Sequence, residues 1–181
     1  MVNKFVVWLR RKHPGSLFKL RDFVLNTGLF GIAPLTASLS IRVIRKNGDI
    51  EDKGVVSTHA VTDVFVNQLV DTLQSSVAAF STYKYHDSGT DDTAEDQTDT
   101  GLGAACGEAR DVGTQTEGDT ANIYKSVATH TYATSFAITE HILANAATNG
   151  DTMDRSVFSD INVDAGDKIE FTYQLTCTAG G

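Results

Sequence analysis

The stretch KIEFTYQLTC, residues 168–177, alternates with a period of two. Ile169, Phe171, Tyr173, Leu175 and Cys177 fall on one side, and Lys168, Glu170, Thr172, Gln174 and Thr176 on the other. Successive side chains of a strand point to opposite faces, so this is a strand with one face turned to a core. Asp164-Ala165-Gly166-Asp167 supplies the turn ahead of it. Working outward, Thr152–Phe158 and Ser135–Ala144 read as strands. In Asn122–Tyr132, Ile123, Lys125, Val127, Thr129 and Thr131 alternate with Tyr124, Ser126, Ala128, His130 and Tyr132. Residues 80–87 (FSTYKYHD) form a further strand, with Tyr83 and Tyr85 on a shared face. Nearer the N-terminus, Leu39, Ile41 and Val43 alternate with Ser40, Arg42 and Ile44. Asn47-Gly48 follows, a hairpin signal for a turn with positive φ at both central residues, with a return strand over about 49–56. Val61, Val64, Phe65, Leu69 and Leu73 repeat at helical spacing and predict one helix, about 61–76, packed through that stripe. The expected fold is mainly β: a sandwich or jelly-roll-like domain with one packed α-helix and an extended N-terminal arm.

The chain has 181 residues, 41% of them hydrophobic, which suits one domain with a real core and excludes a wholly disordered or fibrous chain. No apolar run is long enough for a transmembrane helix. Charge divides the chain unevenly. Residues 1–50 carry nine basic against two acidic groups, and the remainder six against 21, within a net charge of −8. A body of that sign repels phosphate and is not expected to bind nucleic acid. Residues 1–35 read as a docking arm and 36–181 as the β-rich domain. In the arm, Val2, Phe5, Val6 and Leu9 share a helical face beside Trp8, and Arg10, Arg11 and Lys12 follow before His13-Pro14-Gly15 stops the helix. Phe18, Phe23 and Phe30 continue the apolar character. Such an arm suits a membrane interface, packaged nucleic acid or a grooved protein partner. The second apolar segment favours the protein partner, with Val2, Phe5, Trp8, Leu9, Arg10, Arg11, Lys12, Phe18, Phe23 and Phe30 as docking residues. The alternative for residues 16–35 is a helix packed on its own domain.

Residues 87–119 hold ten acidic groups and a single base, Arg110, among Gly and Thr. This composition predicts a long solvated surface loop. Its carboxylates lack the alternating spacing of an EF-hand, so no metal is expected. Cys106 and Cys177 stand alone, without zinc spacing, and read as free thiols, although one disulfide is geometrically open. His13, His59, His86, His130 and His141 are scattered, without HExxH. A dyad of His130 or His141 with Glu140 or Asp160 is conceivable, but adjacent Glu140 and His141 point to opposite faces of a strand. With no GxSxG, P-loop or GxGxxG either, no enzymatic activity and no cofactor are expected.

Five segments carry a resemblance: Tyr85-His86-Asp87-Ser88-Gly89-Thr90, Gly113-Thr114-Gln115-Thr116-Glu117-Gly118, Ala121-Asn122-Ile123-Tyr124, Ala137-Ile138-Thr139-Glu140-His141 and Asp154-Arg155-Ser156-Val157-Phe158. In this order they resemble small β-rich virion-associated proteins of tailed bacteriophages and prophages, an uncharacterised family. Ile161-Asn162-Val163, Gly166-Asp167-Lys168-Ile169 and Phe171-Thr172-Tyr173-Gln174-Leu175-Thr176 are similar to the tail of the same pattern. The resemblance spans residues 38–181 and departs at Ile142, where the pattern has Gly. It implies a virion structural protein, with no catalytic residues to carry over. Assembly in a host bacterial cytoplasm is expected because Arg10-Arg11-Lys12 follows the N-terminal apolar run instead of preceding it, unlike a secretory signal. The arm and the strand-rich body together suit a capsid decoration or cement protein on the head surface. Its partner would be the major capsid protein, and a homotrimer fits threefold points of the shell. The alternative is a tail, neck or fibre component, with Tyr83, Tyr85, Tyr124 and Tyr132 forming a glycan-binding face.

Overall fold

A computed structural model describes residues 35–73 and 80–178. The elements are β1 (Leu35–Ile44), β2 (Ile50–Ala60), α1 (Asp63–Leu73), a 3-10 turn (Phe80–Thr82), β3 (Tyr85–Gly89), β4 (Asp111–Val112), β5 (Thr114–Glu117), β6 (Ile123–Thr131), β7 (Phe136–Ala144), β8 (Thr152–Val163) and β9 (Lys168–Cys177). They form a β-sandwich of two packed antiparallel sheets. One has five strands in the order β2-β1-β9-β6-β5, the other four in the order β4-β3-β7-β8. β6 and β7 follow one another in the chain but lie in opposite sheets, as do β8 and β9; β6 pairs with β9, and β7 with β8. No helix among the described residues is long and apolar enough to cross a membrane.

Leu39, Ile41 and Val43 of β1 and Ile169, Phe171 and Tyr173 of β9 are fully buried, as their alternation requires. Each such side chain contributes about 1.5–3 kcal/mol by leaving water. Cys177, expected inward, is exposed where β9 ends. The hairpin after β1 forms, but with a different turn. Gly48 has φ 94°, whereas Asn47 does not take positive φ. Gly48 N–H donates to the Arg45 carbonyl and Arg45 N–H to the Asp49 carbonyl, which makes a three-residue loop closed by a left-handed glycine. The return strand runs to Ala60, past the expected end near Val56.

The helix begins at Asp63 with Thr62 as its N-cap. Thr62 Oγ1 accepts from Phe65 N–H at 3.3 Å and donates to the Thr152 carbonyl at 2.5 Å, tying the helix start to β8. Phe65 is buried, edge-on to Tyr83 at 5.3 Å between centroids. Of the strand expected over 80–87, Phe80–Thr82 is 3-10 turn, and the strand starts at Tyr85.

Residues 87–119 form the expected surface loop over 90–110, where no residue is buried, but not at their ends. Asp87, Ser88 and Gly89 are buried in β3, 111–112 and 114–117 are short strands, and the loop between β3 and β4 is tethered by hydrogen bonds to β7 and β8. The cause is a counter-charge far away in sequence, Arg155 of β8.

Candidate functional site

Pairing register sorts the polar residues of the four-stranded sheet onto its two faces. Ser88 opposes His141 and His86 opposes Leu143, while Asp87 opposes Ile142 and Gly89 opposes Glu140. His141 also opposes Ser156, and Ile142 opposes Arg155. His86, Ser88, His141 and Ser156 therefore face the other sheet, and Asp87, Glu140 and Arg155 face outward. A register shift between Ile138 and Glu140 lets Ile138 join the inner core although it is two residues from Glu140.

On the outer face, Glu140 is fully buried by the segment that crosses it. Its carboxylate accepts from the backbone N–H of Asp91 (3.2 Å), Gly103 (2.9 Å) and Ala104 (2.8 Å) and from Arg155 Nε (2.8 Å). Arg155 also reaches the Thr93 carbonyl (3.2 Å), Asp99 (3.1 Å) and Asp91 (3.5 Å). Burial opposes the guanidinium charge, but the bonds to Glu140 and Asp99 outweigh it and hold the group protonated. A carboxylate with this many donors is a clamp with no lone pair directed at a substrate. A second clamp lies alongside. Arg110 binds Asp87 Oδ2 (3.2 Å) and the carbonyls of Ala146 (2.8 Å) and Asn149 (2.6 Å). Burial raises the Asp87 carboxyl above its usual range, against the opposing pull of Arg110 and the Ser88 N–H.

Gly89 is what lets the crossing segment lie so close. A β-carbon there would overlap Glu140 Oε1 and the Ala104 carbonyl, neither of which can yield without breaking the clamp. Gly89→Ala should lower stability by about 1–3 kcal/mol, the usual cost of overpacking, read as a fall in the urea midpoint; an unchanged midpoint would show that the segment is loosely held.

On the inner face, polar bonds join the sheets. His86 Nδ1 lies 3.0 Å from His141 Nε2, and His86 Nε2 lies 2.8 Å from Ser126 Oγ of β6. Ser88 Oγ meets the Tyr132 hydroxyl at 3.0 Å, and Asp111 of β4 meets His130 Nδ1 of β6 at 2.5 Å. His141 packs on Phe171 of β9, ring centroids 4.5 Å apart, and its Nδ1 has no partner. An orphaned acceptor costs less than an orphaned N–H donor. The favoured tautomers therefore have His141 Nε2–H donating to His86 Nδ1 and His86 Nε2–H donating to Ser126. Burial holds both imidazoles neutral, pushing His86 down to about 3 and His141 well below its ordinary value.

The residues singled out in the sequence separate accordingly. The docking set Val2, Phe5, Trp8, Leu9, Arg10, Arg11, Lys12, Phe18, Phe23 and Phe30 lies outside the described residues, as does His13. Glu140 and His141 do face opposite ways. Neither His130 nor His141 pairs with Glu140 or Asp160: His130 takes Asp111, His141 takes His86, and Asp160 is exposed. The His130–Asp111 pair has acid–base geometry, but the imidazole is 4% exposed, and its Nε2 is bonded to no hydroxyl or thiol. The Cys106 thiol is pushed up to about 11 by burial, the opposite of activation, and the two cysteines form no disulfide. Among the described residues no three His, Cys, Asp or Glu side chains converge on a metal position. The tyrosines do not form a glycan-binding face. Tyr83 and Tyr132 are fully buried, and the Tyr83 and Tyr124 hydroxyls bond Gln68 and the Tyr83 carbonyl. What the sequence reading missed is Arg155 as the partner of the acidic segment, and His86 with His141 as one unit. No protein-family model, curated protein or solved structure matches this chain.

Proposed function

We propose that this chain is a structural protein of a tailed-phage virion, a decoration or cement protein of the head. The observation that carries the reading is where the phage-like segments lie. Tyr85–Thr90 contributes His86, Asp87 and Gly89; Ala137–His141 contributes Glu140 and His141; Asp154–Phe158 contributes Arg155. The residues that resemble virion proteins are thus those that clamp strands together, and a protein whose work is to hold shape needs these more than a reactive pocket. Exposed carboxylates at Asp92, Asp96, Glu117 and Asp119 keep the body hydrated and like-charged particles apart. In this reading the basic, apolar arm docks on the major capsid protein at capsomer junctions, and copies gather as trimers around threefold points.

Quantitative mass spectrometry of purified virions tests the proposal. The expected ratio to the major capsid protein corresponds to hundreds of copies per particle; a handful would move the protein to the tail or neck, and absence would end the structural reading. Because β1 begins at Leu35, deletion of residues 1–34 should leave the sandwich folded yet unable to bind capsids. Phe5→Ala with Trp8→Ala should weaken capsid binding by about 2 kcal/mol or more if both are central anchors. Retention of full affinity by the deletion variant would refute arm docking.

A further inference from the structure

The chain contains two Asn-Gly pairs in described turns, Asn47-Gly48 and Asn149-Gly150, and both asparagines are exposed. We propose that Asn149 is a site of spontaneous covalent modification and that Asn47 is protected from the same reaction. In an Asn-Gly pair the glycine backbone nitrogen, unhindered by a β-carbon, attacks the asparagine Cγ. The new N–C bond closes a cyclic imide, and the side-chain amide leaves as ammonia. Water then opens one of the two imide C–N bonds, giving aspartate or isoaspartate. No oxidant, reductant or enzyme is required.

The two sites differ in what must be undone before that attack. Asn47 Nδ2 donates to Asp49 Oδ2 at 2.7 Å, and its Oδ1 accepts from Asp49 N–H at 3.0 Å. The attacking nitrogen, that of Gly48, has its proton committed to the Arg45 carbonyl at 2.8 Å. All three bonds restrain the side chain and the attacking nitrogen. Asn149 and Gly150 instead take φ of 55° and 77°, and no hydrogen bond to the Asn149 side chain or the Gly150 N–H is formed among the described residues.

The consequence is specific because the Asn149 carbonyl is one of the acceptors of Arg110. Isoaspartate routes the main chain through the former side chain and adds a methylene at this residue. It also turns that carbonyl into a free carboxylate off the main chain, which no longer ties the turn to Arg110 through the backbone and competes with Asp87 for the guanidinium. The turn has little room to adjust, since even a β-carbon at Gly150 would overlap Asn145 and Ala146.

The test is to age the full chain in warm, mildly alkaline buffer and to map its peptides by mass spectrometry, separating Asn, Asp and isoAsp forms. In the native protein Asn149 should convert about tenfold or more faster than Asn47, the factor expected from breaking the protecting bonds. In urea the two rates should converge. Equal native rates, or faster conversion of Asn47, would overturn the assignment. The urea midpoint of the aged protein should fall, and that of aged Asn149→Gln should not; a midpoint unmoved by isoaspartate would overturn the link to Arg110.

Discussion

Replacing Glu140 by Gln should destabilise the domain by about 3–5 kcal/mol, the range for removing one partner of a buried ion pair. The substitution changes almost no volume, so the loss is electrostatic. The glutamine keeps a carbonyl oxygen for part of the donor set formed by Asp91, Gly103, Ala104 and Arg155, but presents an N–H₂ where the second carboxylate oxygen stood. Donor then faces donor, and Arg155 is left with partners at Asp91 and Asp99 that are more exposed than Glu140. Urea unfolding gives the stability, and amide hydrogen exchange tells where it is lost: Gly103 and Ala104 should lose protection first, ahead of the β6–β9 ladder. Arg155→Met should release the same segment by a different route, since it leaves Glu140 to the backbone donors while Asp91 and Asp99 lose their cation. A loss below about 1 kcal/mol for Glu140→Gln, with those amides still protected, would mean that the clamp contributes no more than an exposed pair does.

How far the sequence can be read depends on whether an element buries one face or two. β9 and β1 bury one face, so their alternation is clean and both are legible. β7 buries both: its inner face meets the core and its outer face the crossing segment, so AITEHILA shows no period of two, and the shift after Ile138 breaks the phase as well. β6 alternates, but its inward set is Ser126, Ala128 and His130, which hydrophobicity alone does not mark as inner. The helix is legible from its apolar spacing, its first residue only from the Thr62 cap. The acidic segment is legible as a surface loop but its tether is not, because charge composition is local while charge compensation is not. Arg155 lies several strands further along the chain and is brought onto Glu140 only by the pairing of β7 with β8. The histidine pair is hidden for the same reason, since His86 and His141 are 55 residues apart and meet through the β3–β7 register. Asn47-Gly48 marks the hairpin but not its turn; positive φ at both residues occurs at Asn149-Gly150 instead.

Acid should weaken this domain through its two buried, neutral histidines. His86 and His141 are neutral in the folded state, with values pushed below the ordinary 6.5 by burial, whereas in the unfolded chain they are free to protonate near 6.5. The unfolded state therefore binds more protons in the interval between the folded and unfolded values. Stability is complete above about pH 6.5 and falls as pH is lowered through that interval, by up to about 1.4 kcal/mol per pH unit for each ring. At pH 5 the pair should have cost the domain roughly 2–4 kcal/mol. The geometry makes an escape by local protonation costly. The bond between His86 Nδ1 and His141 Nε2 accommodates one proton, so a cationic pair must place its extra proton on His141 Nδ1, which has no acceptor and packs among core side chains. Neighbouring groups separate from this effect by pH. Glu51, Asp91 and Asp167 are held below the ordinary carboxylate range by their hydrogen-bonding partners, so they withdraw stability only in stronger acid. Asp87, raised by burial, acts in the opposite sense, because acid relieves the cost of keeping its charge inside. A fall of the urea midpoint between pH 7 and 5 therefore belongs to the histidines, because Asp87 acts in the opposite sense and the depressed carboxylates act lower. The midpoint should drop steadily across that range in the parent chain, and about half as steeply in His141→Gln, which keeps a polar group against His86 but removes one titrating ring. A midpoint flat from pH 7 to 5 would mean that water reaches the pair and that the two sheets are less tightly closed over it than the bonds from His86 to Ser126 and from Ser88 to Tyr132 imply.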